Sequence, residues 1–428
     1  MSTDLSRNAG SLDPTFGSGG KVFPSNPADP LMLGSVWGLT IAPDHKVLIA
    51  GRFGRNYSII RLNPDGSADR DFGEYGVITG SFAEGYASGG ESISLLDNGQ
   101  ILLTGVFKED DQYSPSLPAA ARFYSDGRLD TRFGFKGHVV IRLPLDQSNP
   151  AIADSATRDG SGRSSVSATV LPDGKIWMTS VHRYSFIDSV GVLMRLESNG
   201  NLDLSLNNGK GFVIVRYPEC STEITTHLIQ PDGKIVVAGI AIVGGREAAF
   251  TARYVSDGTA DPSFGSAGFV LTEIERPTQI LSLALQKNGN LVAAGSTTVA
   301  PTAGFLLSLS PDGRNDPLFN RGVPLLTLID DNPYGSQWIG VATDDSGKIV
   351  VTGATLGGEE ADILLARYLS DASLDGSFGD GTGIVRTKIG SGADHPQAIA
   401  LQEDGRIVVI GMFFSESGFR PVVLRFKN

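Results

Sequence analysis

The sequence predicts an all-β fold, a seven-bladed β-propeller with four antiparallel strands per blade. Three observations predict it. A tight turn of the Pro-Asp-Gly-Lys kind recurs seven times along 428 residues, two further signatures keep the same beat, and the apolar residues come in short runs between 54 glycines and 22 prolines. Short apolar runs punctuated by turn residues read as strands, and a fixed period near sixty residues marks a repeat architecture. No amphipathic helix of three turns stands out.

The turn appears as Pro43-Asp44-His45-Lys46, Asp97-Asn98-Gly99-Gln100, Pro172-Asp173-Gly174-Lys175, Pro231-Asp232-Gly233-Lys234, Lys287-Asn288-Gly289-Asn290, Asp345-Ser346-Gly347-Lys348 and Glu403-Asp404-Gly405-Arg406. Its third residue steps evenly except between the second and third copies, where Asp146 to Ser165 reads as an insertion within a long loop over 143–164. Each turn should join strand A to strand B as a hairpin. Strand C closes on an Arg followed by an aromatic residue or Leu, at Arg61, Arg122, Arg195, Arg253, Arg367 and Arg425, with Ser308 as the degenerate copy. A Leu-Asp-Pro-x-Phe-Gly-like segment then leads to strand D, starting at Asp13, Asp69, Asp130, Asp203, Asp261, Asp316 and Asp375. In the fifth repeat the four strands are expected at Ile280–Leu285, Leu291–Gly295, Phe305–Leu309 and Val323–Leu328.

The chain enters on a D strand, Lys21–Phe23, and its last strand is a C strand, Val422–Phe426. Residues 1–24 should therefore complete blade seven and make 1–428 one closed domain without an unpaired edge between first and last blades. Along the A strands one position is bulky (Leu39, Ile93, His227, Leu283, Val341, Ile399, with Ala168) and the one before it small (Gly38, Ser92, Ser167, Thr226, Ser282, Gly340, Ala398). Bulky against small suits radial stacking of blades.

The runs Leu12-Asp13-Pro14-Thr15-Phe16-Gly17, Pro231-Asp232-Gly233-Lys234-Ile235-Val236-Val237-Ala238-Gly239 and Ala252-Arg253-Tyr254 resemble the bacterial delta-60 repeat family. The resemblance spans nearly the whole chain. It implies a propeller and a bacterial source, and it implies no reaction.

A net charge of −12 argues against a nucleic-acid partner or an anionic membrane surface, which would need clustered Lys and Arg. No run of eighteen apolar residues offers a membrane span and the first ten residues lack an apolar signal core, so the expected address is cytoplasmic, or exported without a classical signal. The lone Cys220 reads as an incidental thiol.

Acidic turns such as Asp65-Gly66-Ser67-Ala68-Asp69 invite a calcium reading, but Asp side chains accepting from turn amides account for the spacing without metal. His227 reads as a satisfied core histidine and His45 as a solvated turn residue. Function should lie on the rim that carries the irregular D–A and B–C loops, including Lys108 to Ala119, Val181 to Ser189, Ala241 to Ala248 and Leu143 to Ser164. Residues entering the A strands there, Trp37, Glu91, Glu223, Gln279, Gln337, Trp338, His395 and Gln397, are expected to line the channel mouth. The leading expectation is a non-enzymatic module binding a protein or glycan partner, with no cofactor. The alternatives are a propeller hydrolase or lyase with a divalent ion held by Glu91, Glu223 and His395, and a glycan-binding component of a bacterial assembly or toxin system.

Overall fold

The computed structural model describes residues 9–109, 116–145, 166–185, 187–329, 332–357 and 361–428. It contains seven four-stranded antiparallel sheets, each hydrogen-bonded in the order A, B, C, D. Blade 1 is built from Gly34–Ile41, Val47–Phe53, Asn56–Leu62 and Val77–Gly80, and blade 2 from Ala87–Leu95, Ile101–Lys108, Ser116–Phe123 and His138–Val140. Blade 3 is Ser167–Val170, Ile176–Ser185, Asp188–Leu196 and Phe212–Val215, and blade 4 is Ser221–Ile229, Ile235–Val243, Arg246–Tyr254 and Phe269–Thr272. Blade 5 is Thr278–Leu285, Leu291–Thr297, Gly304–Leu309 and Leu325–Thr327, and blade 6 is Ser336–Thr343, Ile349–Thr355, Ile363–Tyr368 and Ile384–Thr387. Blade 7 takes A, B and C from Asp394–Leu401, Ile407–Ser415 and Gly418–Phe426. Its D strand is Lys21–Val22, with Lys21 opposite Leu424 and Val22 opposite Val423. The ring is closed by strands four hundred residues apart in sequence. Among the described residues no helix is long and apolar enough to cross a membrane.

The core is divided among the blade interfaces. One apolar cluster joins Leu48, Ile59 and Tyr57 of blade 1 to Ile93, Leu103 and Phe107 of blade 2, and another joins Val47 and Ile49 to Val408, Ile410 and Val423 of blade 7. The B strands are covered on both faces by neighbouring blades, and they read as near-continuous apolar runs for that reason. The bulky and small columns of the A strands meet across an interface where Gly340 leaves room for Ile399, whose Cγ2 lies 2.9 Å from the place a Cβ would occupy.

Two expectations about strand limits change. Val181 to Ser189 and Ala241 to Ala248 are largely strand: the B and C strands run on to Ser185 and Asp188 in blade 3, and to Val243 and Arg246 around a Gly244-Gly245 turn in blade 4. Backbone pairing extends these hairpins past the core, without a break in blade 4 and with a register shift between Arg183 and Ser185 in blade 3. The fifth D strand is shorter than expected, Leu325–Thr327 instead of Val323–Leu328. The insertion at Asp146 to Ser165 lies outside the described residues, as does most of the 143–164 loop.

Candidate functional site

The three repeat signatures converge on one carboxylate in each blade. In blade 4, Asp261 is the acidic residue of the Leu-Asp-Pro-x-Phe-Gly-like segment and is 4% exposed. Arg253 Nε donates to its Oδ2 at 2.8 Å, Lys234 of the A–B turn lies 3.1 Å away, and Ser263 donates from its amide and hydroxyl. Burial would raise this carboxyl, but hydrogen bonds from Ser263 and Lys234 and the Arg253 charge hold it well below the usual range. The guanidinium lies 4.6 Å from the centroid of the buried Phe264 ring, and its Nη1 donates to the carbonyl of Pro311 in blade 5. Each cluster therefore ties a blade to the next.

Equivalent contacts recur at Arg61–Asp69, Arg122–Asp130, Arg195–Asp203, Arg367–Asp375 and Arg425–Asp13. Their aromatic supports are Phe72, Phe133, Trp177, Phe378 and Phe16. In blade 3 Leu206 stands where the other repeats have Phe, and Trp177 of strand B supplies the ring. The acidic turns are Asx turns: Asp65, Asp257 and Asp371 accept from the amides of Ser67, Thr259 and Ser373 at 2.8–2.9 Å. Among the described residues no group of three His, Cys, Asp or Glu side chains is placed to hold a metal. The A–B and C–D rim is thus a scaffold of ion pairs.

On the opposite rim the A strands contain a feature that the period-two reading did not anticipate. Pairing slips by one residue between Val36 and Gly38, Gly90 and Ser92, Ile224 and Thr226, Ile280 and Ser282, Trp338 and Gly340, and Pro396 and Ala398. These are β-bulges, each leaving one residue unpaired and reversing the face of everything before it. Opposite each stands the glycine that ends the apolar run of strand B. A Cβ at Gly105, Gly239, Gly295 or Gly353 would come within 2.0 Å of a carbonyl oxygen on strand A.

The bulge sorts the expected mouth residues into three sets. Trp37, Glu91 and Gln397 are the bulged residues of blades 1, 2 and 7, so they occupy equivalent places on consecutive blades. Glu223, Gln279, Gln337 and His395 lie two positions earlier along their strands. Trp338 falls between, and this placement corrects the expectation. It is fully buried between blades 5 and 6, edge-on to Tyr368 with ring centroids 6.4 Å apart, and does not line the mouth.

Nor do Glu91, Glu223 and His395 meet as a set. Glu91 accepts the amide of Val166 at 2.8 Å, Glu223 pairs with Arg183 at 2.7 Å and accepts from Ser189, and His395 packs 5.9 Å from the ring of Phe419. Burial lowers the His395 imidazole. Gln279 bonds Ser296 at 3.0 Å and Gln397 keeps a buried Oε1 without a hydrogen-bond partner. The Trp37 ring carries the Arg52 guanidinium 5.6 Å from its centroid. His227 bridges Thr169 and Thr179 at 3.0 and 3.1 Å, and burial brings it down to about 4. It is a core residue. His45 takes the glycine conformation of its turn, with φ of 63°.

Sequence reasoning also missed an apolar patch on this rim, at the seam between blades 7 and 1. Leu33 lies over Gly418, and Phe419 and Phe414 meet at 5.3 Å, while Phe23 packs on Phe413 at 5.2 Å on the other face of the sheet, the one turned to blade 6. Leu31 is 78% exposed, and Leu33, Phe414 and Phe419 are each more than 40% exposed. No sequence signal could join them, because they come from both ends of the chain.

Fold and rim geometry define a β-propeller with a regular structural rim and a variable opposite one. Three stretches, 42–72, 230–264 and 345–378, match the family described as a domain of unknown function (DUF5122) beta-propeller. Each stretch runs from the A–B turn region to the core phenylalanine of its blade, taking in the ion-pair cluster. No curated protein matches the chain. Among solved structures, virginiamycin B lyase from Staphylococcus aureus is similar at 12% identity with a TM-score of 0.51, covering 94% of this chain and 98% of that one. Polysaccharide lyase Uly1 is similar at 12% identity and a TM-score of 0.48, over 100% and 95% of the two chains. Drosophila Plexin A in complex with Semaphorin 1b gives 11% identity and 0.46, over 97% and 88%. At these identities the likeness is one of fold.

Proposed function

We propose that the protein is a non-enzymatic binding module that engages a protein partner through the variable rim. The observation that carries this reading is the exposed apolar set of Leu33, Phe414 and Phe419 at the seam of blades 7 and 1, with the exposed Leu31 two residues before Leu33. Scattered exposed apolar residues need no explanation, but a clustered set on a rigid scaffold is suited to burial by a partner. On the other rim the exposed Tyr75, Phe135, Leu204 and Leu374 stand singly in different C–D loops, and blade 5 exposes Leu318 and Val323.

The test compares partners held by the protein in an extract of its own cells with those held by Phe414→Ser/Phe419→Ser and by Phe135→Ser/Leu318→Ser. A partner lost only from the first variant supports the reading, and a partner lost equally from both, or from neither, overturns it. A second reading, a polar ligand such as a glycan at the channel mouth, is favoured by the consecutive placement of Gln397, Trp37 and Glu91. Trp37→Ala should then weaken binding on a glycan array at least tenfold.

A further inference from the structure

Blade 5 keeps the receptor for an arginine and lacks the arginine. In six blades a guanidinium is held by a buried carboxylate, a ring face and an acceptor on the next blade: the carbonyls of Ser125, Ser198, Ser256, Pro311 and Pro64, and the side-chain oxygen of Asn428. In blade 5 the strand-C position is Ser308, 2% exposed, whose hydroxyl reaches Asp316 Oδ2 at only 3.3 Å. The A–B turn cation is also missing, because Asn290 stands in its place and donates to the same oxygen at 2.8 Å. Asp316 is 9% exposed and Phe319 2%. Among the described residues the side-chain donors to Asp316 are therefore neutral, where every other copy of this carboxylate has at least one guanidinium. Charge-assisted bonds to a carboxylate are about twice as strong as neutral ones, so this position has an unmet preference for a cation.

The equivalent arginine places of other blades reach solvent on this rim, where depressions of about 570 and 740 Å³ open onto Arg195 and Arg61. At blade 5 the rim residues around Asp316 are the half-buried Asn290 and, from blade 6, the exposed Ser370. We propose that the interface between blades 5 and 6 is a guanidinium-binding subsite, framed by Asp316, Phe319 and the blade 6 turn around Ser370, that takes an arginine side chain or a free guanidinium ion. It lies on the opposite rim from the blade 7 and 1 patch, so its failure would leave the partner reading untouched.

The test is thermal melting of the whole chain at low millimolar guanidinium chloride against sodium chloride of equal ionic strength. Wild type should show a saturable rise in Tm with guanidinium alone, since a ligand that binds only the folded state raises its stability. Ser308→Arg should melt higher than wild type and lose the response. Asp316→Asn, which removes the charge without adding bulk, should also lose it. A rise with N-acetyl-arginine amide equal to that with guanidinium assigns the subsite to a chain-borne arginine, and a rise with the small ion alone assigns it to free guanidinium. No rise in wild type, an equal rise with sodium chloride, or a response that survives in Asp316→Asn overturns the proposal.

Discussion

Arg253 shows how one side chain serves three purposes at once: its charge is neutralised by Asp261, its flat face covers Phe264, and its Nη1 reaches the next blade. Removing one partner strands the other in a buried site, so Asp261→Ala should cost about 3 to 5 kcal/mol, read from the shift of the denaturation midpoint. Phe264→Ala should cost a similar amount, about 3 to 5 kcal/mol, because the ring is fully buried. A loss below about 1 kcal/mol would place the ring outside the core. The arginines, the Asp residues and the core phenylalanines were all legible in the sequence as repeated signatures. Their convergence on one carboxylate was not, because each comes from a different turn or strand and only the folded blade brings them together.

At the scale of the element, the bulge explains a glycine that the sequence displayed without its reason. Gly295 has no positive φ to require it; a carbonyl oxygen of strand A lies 1.9 Å from where its Cβ would be. Gly295→Ala should therefore destabilise by about 1 to 3 kcal/mol through forced backbone displacement, measured by thermal melting. Blade 3 has Ser180 at the corresponding place, so Ser180→Gly should bring no comparable change. The D strand of blade 7 is short, yet residues 1–24 also bring Asp13 and Phe16, which complete the last ion-pair cluster with Arg425 and Arg406. Deleting 1–24 should expose the blade 7 edge and leave the buried Arg425 without its carboxylate, giving aggregation or a large fall in Tm. An unchanged melting curve would contradict closure by this strand.

For the molecule as a whole, the repeated clusters set the response to acid. His227 is held neutral when folded, at about 4, while an unfolded histidine titrates near about 6.5. As pH falls through this interval the unfolded chain takes up the proton first, so stability is intact above it and declines within it. The clustered carboxylates act lower. Asp130, Asp203, Asp261 and Asp375 have folded values below the unfolded one of about 3.9, so their stabilisation is full above that value and is lost as pH falls beneath it. Melting temperature should therefore decline in two stages, and His227→Gln should lessen the first, to which the buried imidazoles of His138 and His395 also contribute, while leaving the second. A single decline unaffected by His227→Gln would show that the histidine is not held neutral.

The sequence by itself determined the number of blades, the four strands of each, the closing strand and the buried identity of the repeated residues. Those properties depend on local turn chemistry and on a period that the chain repeats seven times. Only the tertiary structure decided which face each A-strand residue presents near the mouth, because a one-residue bulge reverses the alternation and carries no fixed residue type at the bulged position. Trp37 and Trp338 show the result. Both precede the small A-strand position, by one residue and by two, yet the first is the bulged residue and the second is sealed between blades 5 and 6. The apolar seam of blades 7 and 1 was likewise decided by ring closure, which sets Leu33 beside Gly418 although nearly the whole chain lies between them.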